Sequence, residues 1–189
     1  MDVLPCYLVC DVSFSMVDHI DELNAGLREF RGEVLADPAV GARLHVCVVG
    51  FADEPRLLQP LRPAAQLTEL GGPAPAAGTN FGPAFAFLRE VVDRDVRGLK
   101  AQRLRVRRPV VFFTSDGRPT DRTTWQAAFA AFADPDWAAR PHVVAFGLGA
   151  ADHVTLGRIG TSRVFLGRDG VRVGLALMVS LASTGPDHV

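Results

Sequence analysis

Asp11, Ser13 and Ser15 stand at alternate positions of the string Asp11-Val12-Ser13-Phe14-Ser15, where an apolar run stops and a helical pattern starts. A carboxylate and two hydroxyls spaced this way in a tight turn can face one point in space. They are hard oxygen donors, which suit a small divalent cation such as Mg²⁺. The same residue types also serve as turn residues and helix N-caps, so this string leaves cap and cation site both open. Two further oxygen-rich segments follow: Gly78-Thr79-Asn80-Phe81 at a loop-to-helix junction, and Thr114-Ser115-Asp116-Gly117 directly after an apolar run. Singly, Thr79 reads as an N-cap and Asp116-Gly117 as a turn. Three such segments in the right order, each ending the right element, are hard to explain as independent caps.

The elements that must position these residues alternate along the chain. Residues 4–10 form an almost unbroken apolar strand, and a helix is expected from Met16 to about Leu35 on Ile20, Leu23, Leu27, Phe30 and Val34. Asp37-Pro38 closes it. A second core strand covers 44–52, and 56–61 can pair with it as a short edge strand. Residues 71–78 form a loop by composition, and a helix is expected over about 82–100. A strand at 109–114 precedes a helix that Thr120 or Asp121 can cap. A strand at 142–146, a short helix near 152–159, a strand at 163–166 and a helix near 171–183 complete the pattern. Solid apolar strands between amphipathic helices predict an α/β fold: a three-layer, doubly wound, Rossmann-like and mainly parallel sheet, with one short antiparallel edge strand and helices on both faces. Ligands bind such sheets beyond the carboxyl ends of the strands, where the three oxygen-rich segments should meet.

With 189 residues and 48% hydrophobic content, the chain is expected to form a single domain over 1–189. Its formal net charge of −1 gives no global polyanion-binding signature, so no nucleic acid is expected. No segment reaches the roughly 18–20 apolar residues of a membrane span, and the first residues lack a signal-peptide pattern. Cys6, Cys10 and Cys47 fall in strands. Cys6 and Cys10 are about 13 Å apart along one strand face, too far for a disulfide, so the thiols read as core residues of a cytoplasmic protein.

Asp11, Ser13, Ser15, Thr79 and Asp116 match a known signature: Asp-x-Ser-x-Ser, then a distant Thr, then an Asp after the fourth strand. Over nearly its whole length the chain resembles the von Willebrand factor A (vWA) domain with its metal-ion-dependent adhesion site, or MIDAS. Residues Met16–Leu27, Thr114–Asp121 and Val144–Gly149 make it most similar to the compact bacterial TerY-type proteins, linked to tellurium resistance and stress operons. The resemblance implies a cytoplasmic, non-enzymatic, protein-binding adaptor that holds Mg²⁺ or Mn²⁺ and coordinates an Asp or Glu of a protein partner. Protein kinases or phosphatases accompany such domains. It also implies that Ser13 and Ser15 bind the metal directly, Asp11 acts largely through water, and Thr79 and Asp116 exchange direct and water-mediated roles. The family commonly has Gly between the two serines; here Phe14 occupies that place and is expected to modulate partner choice. The alternative is a metal-dependent phosphohydrolase, for which Arg118 is the obvious phosphate ligand.

Other residues read more plainly. His19 beside Asp18 is expected on a solvated helix face, and His45 and His142 as structural residues at strand starts, so no general base serves Ser13 or Ser15. Arg94, Arg97, Lys100, Arg103, Arg105, Arg107 and Arg108 form a basic stretch without interleaved aromatics, read as a solvated helix end and loop. Gly147-Leu148-Gly149 lacks the spacing of a dinucleotide loop. Phe81 is a core anchor that could, with Phe14, rim the metal site. Gly26 is expected to let its helix approach the sheet.

Overall fold

The structure, a computed structural model, describes residues 2–72, 78–167, 172–182 and 188–189. β1 (Asp2–Asp11) runs through the middle of a sheet built with β2 (Leu44–Phe51), β3 (Pro55–Pro63), β4 (Arg105–Val106), β5 (Val110–Ser115), β6 (His142–Gly147) and β7 (Arg163–Leu166). The order is β3-β2-β1-β5-β6-β7, with β4 beside the start of β1. Among the described residues, every pairing between these strands is parallel except β2 with β3.

β1 shows why the sheet is buried on both faces. Side chains alternate along a strand, and here both sets are apolar. Leu4, Cys6, Leu8 and Cys10 join a core under α1 (Ile20–Ala36), α2 (Pro38–Gly41) and α6 (Val173–Ala182). Val3, Tyr7 and Val9 join the opposite core, under α3 (Phe81–Ala101), α4 (Trp125–Phe132) and α5 (His153–Ile159). The second core is rich in rings. Phe85 stacks on Phe113 with centroids 5.3 Å apart, and Phe81 meets Phe113 edge-on at 5.0 Å. Phe81, directly after Thr79 and Asn80, is fully buried. It is a core anchor and takes no part in the rim, whereas Phe14 is 69% exposed.

Several elements depart from expectation. The first helix does not begin at Met16: Phe14–His19 is a 3₁₀ helix, and α1 starts at Ile20. Pro38 closes α1 but also opens α2, whose first amides are capped by the Asp37 carboxylate. β3 is nine residues long, not short, with register shifts against β2. β4 falls inside the basic stretch, where Arg94 pairs with Asp95, Arg105 pairs with Asp2 and Arg108 donates to the Arg140 carbonyl. Of the loop expected over 71–78, residues 73–77 lie outside the described residues, as do Val171 and Ser183 at the ends of the expected last helix. The three cysteines are free and buried, and desolvation pushes the Cys6 and Cys10 thiols up to about 12.

Gly26 allows close packing against another helix and not against the sheet. A Cβ there would lie 2.5 Å from Cβ of Val173, at the start of α6. Gly26→Ala gains about 1 kcal/mol of helix propensity but forces α6 outward, an overpacking cost of about 1–3 kcal/mol. The urea midpoint should therefore fall; a midpoint at or above wild type would refute the steric argument.

Candidate metal centre

The carboxyl ends of β1 and β5 bring two of the three oxygen-rich segments into direct contact. Asp11, last residue of β1, is fully buried. Its Oδ1 accepts from the Ser13 amide at 3.0 Å and the Ser13 hydroxyl at 2.6 Å. Its Oδ2 accepts from the Ser115 hydroxyl at 2.6 Å. Ser13 Oγ lies 3.2 Å from Ser15 Oγ, which reaches the exposed edge of the turn.

Asp116 is half-buried in the turn after β5 and lies near enough to Asp11 for the two like charges to repel. One Asp116 oxygen accepts from the Arg118 amide at 3.0 Å, and its backbone carbonyl accepts from the Asp152 amide at 2.8 Å. Gly117 makes the turn possible: its φ is +72°, and a Cβ would meet the Asp152 carbonyl at 2.8 Å.

Thr79 is placed by a different device. Its amide donates to the Thr120 hydroxyl at 3.0 Å and its carbonyl accepts from the Thr120 amide at 2.9 Å. This double link ties the loop before α3 to the turn after β5. Thr79 makes no hydrogen bond to Asp11 or Ser13, and its own hydroxyl has no hydrogen-bond partner among the described residues.

Thr120 and Asp121 correct an expectation here, because neither caps the helix that follows it. α4 begins at Trp125 with no side-chain cap. The Asp121 carboxylate instead accepts from the Phe81 and Gly82 amides at 3.0 and 2.7 Å, satisfying the first turn of α3. A Cβ on Gly82 would sit 2.8 Å from that carboxylate, so Gly82 makes room for it.

Ser115 is the functional residue the sequence reading missed. It donates to Asp11 and accepts from the Gly117 amide at 3.0 Å, joining the buried carboxylate to the turn that carries Asp116. Its signal was its place at the very end of an apolar strand, beside Asp116. His19 is less solvated than expected: it contacts Glu22 at 3.6 Å with 27% of its side chain exposed, and its ring lies over Gly149. That contact, with Gly149 at φ +58°, gives Gly147-Leu148-Gly149 a structural role.

Burial pushes the Asp11 carboxyl up to about 6, against the hydrogen bonds from Ser115 and Ser13, with Asp116 repulsion adding to the rise. Among the described residues, no cationic side chain is bonded to Asp11. The donors left over are the Ser13, Ser15 and Thr79 hydroxyls and one oxygen of Asp116. An all-oxygen set with two carboxylates fits Mg²⁺ or Mn²⁺, which accept such ligands and keep several waters. Among the described residues no three His, Cys, Asp or Glu side chains cluster, as expected of a set built mainly from hydroxyls.

Fold and strand order together define a vWA-type Rossmann-like architecture, and solved structures share it. Proximal thread matrix protein 1 from the mussel byssus aligns at 18% identity and TM-score 0.65, over 96% of this chain and 48% of that one. The same mussel protein has been solved with a zinc-occupied MIDAS motif. A von Willebrand factor type A protein from Catenulispora acidiphila aligns at 15% identity and TM-score 0.62, over 95% and 42% of the two chains. The ArnB paralog VWA2 from Sulfolobus acidocaldarius aligns at 16% identity and TM-score 0.53, over 100% and 47%. This chain therefore spans less than half the length of each. No protein-family model and no curated protein matches the sequence. Among the described residues, no helix is long and apolar enough to cross a membrane.

Proposed function

We propose that this protein is a divalent-metal-dependent protein-binding module whose cation is held by Asp11, Ser13, Ser15, Thr79 and Asp116. The observation that carries the reading is Asp11: a fully buried carboxylate that, among the described residues, is bonded to hydroxyls and an amide and to no cation, with a second carboxylate close enough to repel it. Such an arrangement is costly alone and is resolved by a bound cation. When bound, Mg²⁺ or Mn²⁺ would supply an electrophile able to accept an external carboxylate. Ser13, Ser15 and Thr79 would offer it hydroxyl oxygens and Asp116 a carboxylate oxygen, while Asp11 holds the Ser13 hydroxyl in place. Phe14, exposed between the two serines, offers an apolar contact beside the incoming Asp or Glu.

The TerY-type resemblance supports a role in a bacterial stress or tellurite-resistance system, with a protein kinase or phosphatase proposed as the partner. Three free buried thiols accord with a reducing cytoplasm. Binding without catalysis is favoured because, among the described residues, no imidazole is bonded to Ser13 or Ser15, and the one base on Ser13, the Asp11 carboxylate, is fully buried and also engaged by the Ser13 amide and the Ser115 hydroxyl.

Calorimetric titration of Mg²⁺ should show binding to wild type and none to Asp11→Ala. Equal heats would refute the metal reading. The phosphohydrolase alternative predicts Mg²⁺- or Mn²⁺-dependent turnover of a phosphate ester that Asp116→Ala abolishes; the binding reading predicts no turnover by either protein.

A further inference from the structure

A second site adjoins the first. Gly117, the residue after Asp116, forms part of the wall of a recess of about 340 Å³. Arg118 reaches this recess from the turn after β5, Arg122 from the approach to α4 and Arg158 from the last turn of α5. All three are exposed, and among the described residues none pairs with a carboxylate. Arg118 is held at the edge by donating to the Ala150 carbonyl at 2.9 Å. Gln126 and Thr155 add polar groups.

The recess contains one carboxylate, Asp152, and it is already engaged. It accepts from the Val154 amide at 3.0 Å and the Thr155 hydroxyl at 2.8 Å. Three guanidiniums against one carboxylate leave an excess of two positive charges. That matches a phosphate monoester, which carries about −1.5 to −2 at neutral pH. Guanidinium forks also fit phosphate oxygens in pairs. The one aromatic lining the recess, Trp125, is 2% exposed, so it offers no free face on which a nucleobase could stack.

We propose that this recess is an oxyanion site that takes a phosphorylated serine or threonine side chain of a protein partner. It is built without Asp11, Ser13, Ser15 or Thr79 and stands whether or not the neighbouring residues hold a metal.

The test is fluorescence anisotropy in EDTA, with a labelled Gly/Ser-rich peptide carrying one phosphoserine. The same peptide with serine or glutamate in that place, and a short single-stranded oligonucleotide, serve as competitors. Wild type should bind the phosphopeptide about tenfold or more tightly than the serine and glutamate forms. The double variant Arg122→Ala/Arg158→Ala should lose about tenfold or more of that affinity at an unchanged melting temperature. The double variant should titrate Mg²⁺ in calorimetry as wild type does, so the two sites fail separately. Equal binding of the glutamate peptide, an unaffected double variant, or preference for the oligonucleotide would overturn the assignment.

Discussion

Asp11→Asn should make the metal-free protein more stable and, at the same time, deaf to Mg²⁺. A carboxyl pushed from 3.8 to about 6 by burial is penalised by about 3 kcal/mol when ionised at neutral pH. The sign follows from proton uptake. Between these two values the folded protein holds a proton that the unfolded chain has released, so stability falls as pH rises through about 4 to 6 and stays low above. Asparagine removes the charge and keeps the shape. Its carbonyl can accept from Ser13, while its amide must use Ser115 as an acceptor, which consumes part of the gain. The net expectation is about 1–2.5 kcal/mol, or about 2–10 °C in melting temperature. In wild type, Mg²⁺ should raise the melting temperature at pH 7.5, and less so as the pH falls below about 6, because protons then compete for Asp11. The variant should show no Mg²⁺ shift at any pH. Scanning calorimetry of both proteins with Mg²⁺ and with EDTA decides it. A variant less stable than wild type in EDTA would contradict the charge argument.

Phe85→Ala is expected to be the most damaging core substitution for both fold and site. Phe85 is fully buried and meets Phe81, Phe113, Trp125, Phe129 and Phe132, at centroid distances from 4.9 Å for Phe129 to 6.4 Å for Trp125. Rings on β5, α3 and α4 thus share it, and no single neighbour can collapse into the space without leaving the others. Truncations of this kind cost about 3–5 kcal/mol, or about 6–20 °C in melting temperature. The loss reaches the candidate metal centre through Phe81, which packs on Phe85 and lies two residues from Thr79. Equilibrium urea unfolding should show the drop, and Mg²⁺ should bind more weakly to the fraction still folded. A cost below about 1 kcal/mol would mean that the aromatic cluster repacks freely.

The sheet was legible in the sequence because its central strands are apolar on both faces. Residues 4–10 and 109–114 have no polar alternation to mislead, and a parallel sheet between two helical layers is the arrangement that buries them twice. What escaped prediction shares a cause. β4 is two residues long and carries no periodicity. The 3₁₀ segment before α1 preserves an apolar spacing close to that of an α-helix, with Met16 buried within it. Capping rules are local, so Thr120 and Asp121 pointed to the next helix; in the fold they serve a segment some forty residues earlier. Ser115 read only as a member of the oxygen-rich segment after its strand, with no role of its own, although its hydroxyl is what Asp11 Oδ2 needs. The arginine recess was illegible except for Arg118, since three arginines from three segments converge only after the sheet has formed.

The Asp121 cap also sets an order on how the molecule comes into being. As the chain is synthesised, α3 emerges with its first amides bare. They gain their acceptor only when residue 121 has been made and β5 has slotted beside β1. The same moment delivers Thr120 to Thr79, Ser115 to Asp11, and Asp116 to the mouth of the sheet. A nascent chain that ends before this point holds the Asp11 turn but none of its counterparts. A cation held jointly by Asp11, Thr79 and Asp116 would therefore find its ligands together only in a chain whose β5 segment is already in place.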